Sequence, residues 1–150
     1  MASLLGTERY TIDKKGRVAI PVQLRRALNA EARDTFVAVP GADGSLDLYP
    51  KDEWPRHEEW LRELAKGNPR VRKFLRMLLA SAAELTLDEQ GRVVLPNALM
   101  ESASLKREGV ALIFGAMDHI EVWDPGHFER ETFGGEQPES LRDLAKDFWK

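Results

Sequence analysis

Short stretches of the chain alternate apolar and polar residues, and this period of two predicts β-strands. Over residues 7–13, Tyr10 and Ile12 alternate with polar neighbours, and an apolar pattern resumes over 17–20. The intervening Lys14-Lys15-Gly16 predicts a turn, because glycine readily adopts the positive φ that a tight connection needs. The pattern therefore predicts a β-hairpin with a basic tip near the start of the chain.

A short helix and a second hairpin follow. Pro21 suits the first turn of a helix, and Asn29 predicts a left-handed end to that helix. Its apolar positions at helical spacing are Leu24, Ala27 and Leu28. Apolar strand patterns over 36–39 and 46–49 flank residues 41–44, which contain two glycines and predict a turn. These elements together describe one small unit.

The same unit occurs twice in the chain. Residues 12–21 (IDKKGRVAIP) and 87–96 (LDEQGRVVLP) share Asp, Gly, Arg, Val and Pro in register, at a displacement of 75 residues. Residues 46–49 (LDLY) and 120–123 (IEVW) match at a displacement of 74 residues. Two matched blocks at nearly one interval indicate an internal duplication. One unit alone is too small to bury an adequate core, so the two copies are predicted to share one.

The duplication sets the predicted domain boundaries. The first repeat is expected over residues 5–52 and the second over 81–127. In the second repeat, the helix is predicted to begin at Pro96, and the second hairpin to join strands over 110–114 and 119–123.

Helical patterns occupy the linker and the end of the chain. The linker, residues 53–80, contains Asn68-Pro69, which predicts a capped helix start. The apolar face predicted for that helix comprises Val71, Phe74, Leu75, Leu78, Leu79 and Ala82, opposite a basic face. Gly134-Gly135 predicts a hinge, and Pro138 predicts the start of a helix within the C-terminal segment 136–150.

Charge is distributed unevenly, although the formal net charge of the chain is only −3. Residues 1–30 carry +4, 31–50 carry −3, 51–80 carry +3 and 81–150 carry −7. A basic start on an acidic body favours an anionic partner for the first repeat. The alternative is an ordinary solvated charged face.

Composition narrows the class of protein. Hydrophobic residues make up 43% and charged residues 31%, which excludes a disordered or fibrous chain. Cysteine is absent, so disulfides and thiolate chemistry are excluded. The longest apolar run, 110–117, has 8 residues, far fewer than the roughly 18–20 that span a bilayer. Since residues 1–10 also lack a secretory pattern, we expect a cytoplasmic protein without a membrane partner.

Motifs for enzyme chemistry are not found. His57, His119 and His127 show no pair at metal-ligand helical spacing. The chain has neither a Gly-x-Ser-x-Gly motif nor a phosphate-binding glycine loop. The sequence therefore predicts a protein that is not an enzyme, with no catalytic residues, metal, cofactor or small-molecule substrate.

The segment 13–17 carries the most specific candidate chemistry. Lys14, Lys15 and Arg17 place three positive charges within roughly 10 Å, given about 3.3 Å of rise per residue. Arginine offers a planar fork for a carboxylate, a phosphate or a guanine edge, and lysine offers a mobile charge for phosphate. These three residues form a candidate binding site for an anionic partner, whereas in the alternative interpretation an Asp13–Arg17 ion pair merely pins the hairpin.

The matching turn of the second repeat has a different charge. Asp88, Gly91 and Arg92 repeat the pattern, but Glu89 stands where the first turn has Lys14. Because DNA repels an acidic tip, Asp88, Gly91 and Arg92 are predicted to be structural.

The two Asp-x-x-Gly-Arg turns, each followed by apolar residues and proline, resemble the SpoVT/AbrB swapped-hairpin domain. The tandem arrangement, the linker with Asn68-Pro69 and the closing Ile120-Glu121-Val122-Trp123 block resemble the MraZ family of bacterial transcriptional regulators, over residues 5–125. The resemblance implies a mostly β (α+β) fold. In it, two tandem swapped-hairpin repeats form an interleaved double-split β-barrel with linker helices and a C-terminal helix.

The resemblance also implies a function. MraZ proteins are DNA-binding regulators of the division and cell wall gene cluster, including their own promoter, and assemble into rings. Carried onto this chain, Arg17 is the leading DNA contact, with Lys14 and Lys15 beside it, and Asp13 and Gly16 shape the turn.

The sequence thus predicts a sequence-specific transcriptional regulator whose partners are double-stranded DNA and other copies of itself. Several copies of the basic turn in a ring would engage tandem promoter repeats together, which predicts a cytoplasmic, nucleoid-associated protein. The alternative is an antitoxin-like or scaffold module whose acidic C-terminal half binds another protein.

Overall fold

The two repeats exchange strands instead of folding side by side. The computed structural model describes residues 2–149. The strands are β1 (Leu4–Thr11), β2 (Arg17–Ala19), β3 (Thr35–Pro40), β4 (Leu46–Pro50), β5 (Ala83–Thr86), β6 (Arg92–Val94), β7 (Val110–Met117) and β8 (Ile120–Trp123). The α-helices are α1 (Val22–Arg26), α2 (Trp54–Ala65), α3 (Pro69–Ala80), α4 (Asn97–Ser102), α5 (Pro125–Phe133) and α6 (Leu141–Phe148).

The strands form a six-stranded antiparallel sheet in the order β1-β7-β8-β4-β3-β5, and a two-stranded ribbon of β2 and β6. The first repeat's β1 pairs with the second repeat's β7 along its whole length, and β5 pairs reciprocally with β3. At the centre β4 pairs with β8, so that Asp47 lies opposite Glu121. The sheet therefore has approximate two-fold symmetry, and the predicted α+β fold of two interleaved tandem repeats is confirmed.

The predicted turn at residues 14–16 is confirmed, but the direct pairing of its flanking strands is wrong. The Asp13 N–H donates to the Arg17 carbonyl at 2.9 Å, and the Gly16 N–H donates to the Asp13 carbonyl at 3.0 Å. Beyond the turn, β1 and β2 diverge to partners in the other repeat. The exchange places the apolar residues of both repeats in a shared core, because neither repeat buries enough surface alone.

The core takes equivalent residues from both repeats. Val18 and Val93 of the ribbon are buried, as are Leu24 of α1 and Leu99 of α4. Further buried members of this cluster are Ile20, Leu95, Phe36, Leu46, Leu48, Ile113 and Ile120. The duplicated sequence pattern is thus a pattern of core positions.

Several element boundaries differ from the predictions. Asn29 is extended, with φ −75° and ψ 154°, and Arg33 (φ 52°) instead adopts the left-handed conformation. The C-terminal helix begins at Leu141 instead of Pro138, because the Ser140 side chain accepts a hydrogen bond from the Asp143 N–H and caps it there. The sequence analysis also missed α5, whose N-terminus is capped by Asp124.

The two linker helices form a hairpin on the outside of the fold. The Asn68 side chain accepts hydrogen bonds from the N–H groups of Arg70 and Val71, which confirms the predicted cap of α3. Neither α2 nor α3 contributes a fully buried residue, so the predicted apolar face of α3 is only partly covered. Across the described residues, every helix falls short of the length and apolar character that crossing a bilayer demands.

Candidate nucleic-acid interface

The turn at residues 13–17, here called the basic turn, is pinned by one carboxylate. Asp13 Oδ1 accepts hydrogen bonds from the N–H groups of Lys15 and Arg17, both at 2.9 Å. Asp13 Oδ2 accepts a hydrogen bond from Arg17 Nε at 2.6 Å. The backbone hydrogen bond from Arg17 is the largest cause of a lowered pKa of Asp13, about 2. The carboxylate is therefore ionised at neutral pH and holds the turn in one conformation.

The two lysines of the basic turn face solvent, whereas Arg17 is partly buried. The Lys14 side chain is 86% exposed, and its Nζ lies 3.9 Å from Glu108 Oε1. Lys15 is exposed as well. Arg17 uses Nε for Asp13, but within residues 2–149 its two terminal Nη groups donate no hydrogen bond. The outer edge of the guanidinium fork is thus free to contact an anion or a base edge.

Glycine is required at the third residue of the tip. Gly16 has φ +81°, in the left-handed region that side chains rarely adopt. A Cβ at this position would also lie 3.1 Å from the Leu95 carbonyl oxygen of the other repeat. Both features disfavour any residue with a side chain at position 16.

The turn at residues 88–92, here called the acidic turn, repeats the same bonding. Asp88 Oδ1 accepts hydrogen bonds from the N–H groups of Gln90 and Arg92, at 2.8 and 2.9 Å. Asp88 Oδ2 lies 3.2 Å from Arg92 Nε. The backbone hydrogen bond from Arg92 lowers the pKa of Asp88. The two turns therefore share one framework and differ mainly in the charge of their tips.

Strand exchange brings the two turns together. In the ribbon, Arg17 lies opposite Val94, and Arg92 lies opposite Ala19. Arg92 Nη1 lies 3.9 Å from Asp13 Oδ2, so the carboxylate of the basic turn faces arginines of both repeats. The sequence analysis treated the turns separately, whereas the structure joins them in one surface.

A second polar cluster, which the sequence analysis missed, lies at the centre of the sheet. Potential ligand atoms of Asp47, His119 and Glu121 all lie within 4.8 Å of one another. His119 Nδ1 is 2.8 Å from Asp118 Oδ1, and His119 Nε2 is 3.0 Å from Glu121 Oε2. Both ring nitrogens therefore face carboxylates, and a protonated ring satisfies both contacts.

The carboxylates of this central cluster stabilise a proton on His119. Burial opposes charge on the ring, but hydrogen bonds to Glu121 and Asp118 and the charge of Asp47 outweigh burial and raise the pKa of His119 to about 9. Burial raises the pKa of Asp47 to about 6, against the hydrogen bond from Ser45. Although a carboxylate–imidazole set suits divalent cations, the proton on His119 competes with them.

The repeat alignment contained the signal for this cluster. Asp47 and Glu121 occupy matching positions inside apolar strand patterns, where an acidic residue is unusual. Only the pairing of β4 with β8 shows that these two carboxylates are cross-strand neighbours.

The interleaved fold and its paired turns define a tandem-repeat protein of the swapped-strand type. The family model described as "MraZ protein, putative antitoxin-like" matches the chain twice, over residues 3–77 and 78–145. The chain belongs to the MraZ family. Each match extends beyond the strands into the helices that follow them, namely α2 and α3 in the first match and α5 and α6 in the second.

Curated relatives support the same family over most of the chain. The "Transcriptional regulator MraZ" of Oenococcus oeni is 36% identical over 145 residues, which cover 96% of this chain and 97% of the relative. The protein of that name from Desulfitobacterium hafniense is 40% identical over 119 residues, 79% of each chain. That from Thermomicrobium roseum is 36% identical over 143 residues, 94% of this chain and 96% of the relative.

Proposed function

We propose that this chain is a sequence-specific DNA-binding transcriptional regulator and that the basic turn is its DNA contact. The relatives named transcriptional regulators support the regulatory role. The observation that carries the assignment to the turn is the exposure of Lys14 and Lys15 beside Arg17, whose Nη groups donate no hydrogen bond within residues 2–149, on a hydrogen-bonded loop. A rigid loop binds with little loss of conformational freedom.

The arginine and the lysines of the basic turn have different roles in DNA binding. Arg17 reads a base edge, because Asp13 fixes the plane of its guanidinium while leaving the outer nitrogens free. Lys14 and Lys15 bind phosphates, since a flexible ammonium group suits a non-directional charge contact. The neighbouring acidic turn carries Glu89, which the phosphate backbone of DNA repels. The acidic turn therefore supports the basic turn without binding DNA itself.

Several copies of the chain act together on one promoter. Three cations supply only weak binding per copy, whereas a ring-shaped homo-oligomer makes later contacts effectively intramolecular. The DNA target is a set of tandem repeats in the promoter of the protein's own division and cell wall gene cluster. Such binding places the protein in the cytoplasm at the nucleoid.

Footprinting on the DNA upstream of this protein's own gene tests the target. The protected repeat is then placed once or three times in otherwise identical duplexes and compared by electrophoretic mobility shift. We expect much tighter binding to three repeats, and equal affinity for one and three would contradict cooperative engagement. Capture of one stoichiometric protein, without retention on promoter DNA, would instead support the antitoxin-like alternative.

A further inference from the structure

Strand exchange places a loop of the second repeat against the basic turn. The Ile12 N–H donates to the Gly109 carbonyl at 2.9 Å, and the Glu108 N–H donates to the Ile12 carbonyl at 2.7 Å. Two backbone hydrogen bonds therefore attach residues 106–109, here called the 106–109 loop, to the residue that precedes Asp13. The loop and the basic turn form one surface, although they belong to different repeats.

Arg107 lies beside the tip of the basic turn. Its Nε is 3.8 Å from the position that a Cβ on Gly16 would occupy. Its Nη2 donates a hydrogen bond to Asn97 Oδ1 at 2.7 Å, and the whole residue is exposed. Asn97 thus holds one side of the guanidinium in solvent, next to the cations of the basic turn. A positioned and exposed guanidinium suits a phosphate group.

The symmetry-related loop lies against the acidic turn. The Leu87 N–H donates to the Asp34 carbonyl at 2.8 Å, and Leu87 is the equivalent of Ile12 in the second repeat. Residues 31–34, here called the 31–34 loop, are therefore the counterpart of the 106–109 loop.

The two loops differ in charge in the same direction as the turns beside them. The 106–109 loop has two cations and one acid, whereas the 31–34 loop has one cation and two acids. The buried Ala32 stands where the 106–109 loop has Arg107. With its loop, the basic turn has five cations and two acids, a net charge of +3. With its loop, the acidic turn has two cations and four acids, a net charge of −2.

One acidic side chain of the 106–109 loop weakens the positive potential. Glu108 Oε1 lies 3.9 Å from Lys14 Nζ, and both side chains are largely exposed. An exposed ion pair contributes little to the stability of a fold. Its carboxylate nevertheless reduces the positive potential that an approaching polyanion meets.

We propose that the DNA-binding surface is composite, and that Arg107 of the second repeat binds a DNA phosphate beside the base edge that Arg17 contacts. This inference rests on the proposed function and extends its contacts from one repeat to both. Strand exchange gives each turn a loop that reinforces its own charge. The two surfaces therefore differ more in charge than their turn sequences alone indicate.

Fluorescence anisotropy with two labelled duplexes tests the role of Arg107. One duplex contains a single promoter repeat identified by footprinting, and the other has the same bases in shuffled order. Arg107→Ala should weaken binding to both duplexes about threefold to tenfold and reduce the magnitude of the salt slope by roughly 0.9 per lost phosphate contact. Wild-type affinity in a folded Arg107→Ala protein would overturn the proposal.

The 31–34 loop supplies the matched control. Arg33 is an exposed arginine of that loop, so Arg33→Ala makes the same change of charge beside the acidic turn. Both affinities should stay at the wild-type value in this variant. Equal weakening by Arg33→Ala and Arg107→Ala would show an effect of overall charge, and would overturn the phosphate contact.

Glu108→Gln should change affinity in the opposite direction. Its neutral amide no longer pairs with Lys14, so binding to both duplexes should tighten about twofold to fivefold. A damaged fold would not produce tighter binding. Unchanged or weaker binding, with the wild-type Tm, would show that the 106–109 loop lies outside the reach of DNA and would overturn the proposal.

Arg17→Ala separates this inference from the proposed function. If Arg17→Ala loses affinity for the repeat while Arg107→Ala binds like the wild type, only the composite surface is overturned. If the wild type binds neither duplex, the proposed function is overturned, and the composite surface with it.

Discussion

The carboxylate of Asp13 lies 3.9 Å from Nη1 of Arg92, which belongs to the acidic turn of the other repeat. The same carboxylate binds Arg17 of its own turn at 2.6 Å. The β2–β6 ribbon makes this possible, because it aligns the two turns across the approximate two-fold axis. The duplication thus gives Arg17 a symmetry-related internal control in Arg92.

Arg17 and Arg92 form the first matched pair. Replacing Arg17 with Ala should weaken binding to the promoter repeat by about 1–3 kcal/mol per contacting copy, because the variant has no guanidinium to read the base. Arg92→Ala should have a much smaller effect, because its turn carries Glu89. Fluorescence anisotropy measures both affinities, with circular dichroism as the check on folding. An equal decrease in affinity in the two variants would contradict the assignment.

Lys14 and Lys15 should act on the phosphate backbone. Lys14→Ala or Lys15→Ala should weaken specific and non-specific duplexes alike, because the backbone is the same in both. The slope of log affinity against log salt should decrease in magnitude by roughly 0.9 for each phosphate that the variant no longer neutralises. Titrations at several salt concentrations measure this slope. A decrease in affinity for the promoter repeat alone would show base readout instead.

The two turn aspartates should separate folding from recognition. Asp13→Ala and Asp88→Ala each remove a carboxylate that accepts hydrogen bonds from two backbone N–H groups and from one arginine side chain. We therefore expect similar decreases in Tm in the two variants. Only Asp13→Ala should also reduce DNA affinity, because only its arginine is a proposed DNA contact. If both variants retained wild-type affinity, a preformed basic turn would not be needed.

His119 should make stability depend on pH. Its pKa is about 9 in the folded protein and about 6.5 as a free side chain, so the folded state holds the proton more tightly. The stabilisation is complete below pH 6.5 and is lost as the pH rises through 9. The free energy of unfolding should fall by about 1–3 kcal/mol over this window.

Urea denaturation at pH 6.5, 8 and 9.5 measures the pH effect in the wild type and in His119→Asn. The variant should be less stable at the lowest pH and should show a shallower decline. A decline of equal steepness in both proteins would assign the pH dependence to other groups.

The exchanged strands should prevent either repeat from folding alone. A fragment of residues 2–80 lacks β6 and β7, the partners of β2 and β1, and leaves half of the core exposed. We expect no native near-ultraviolet circular dichroism from the monomeric fragment, and recovery when residues 81–149 are added. A folded monomeric fragment would show that the interleaving is dispensable.

Local features of the chain were predictable because short-range physics governs them. The turn at Gly16 follows from glycine at a position of positive φ, and the cap of α3 follows from Asn68 before proline. The tandem organisation followed from the aligned turn motifs. The helix α5 was missed because it has few apolar positions and lies where the aligned motifs end.

Strand partners were less accessible to sequence reasoning. The turn between β1 and β2 has the composition of a hairpin tip, yet each strand pairs with the other repeat. An apolar-polar pattern specifies which face of a strand is buried, but not which strand lies beside it. Burial of the core that both repeats share favours pairing with the other repeat over a hairpin within one repeat.

Residue identity and spacing were enough to establish the duplication, the basic and acidic tips and the family to which the chain belongs. The folded molecule was needed to show that Asp13 meets Arg92, that Asp47 and Glu121 share His119, and that α6 stays uncovered. These relations join residues far apart in the chain. They are set by the free energy of burying both repeats in one core, a property of the whole fold and of no single segment.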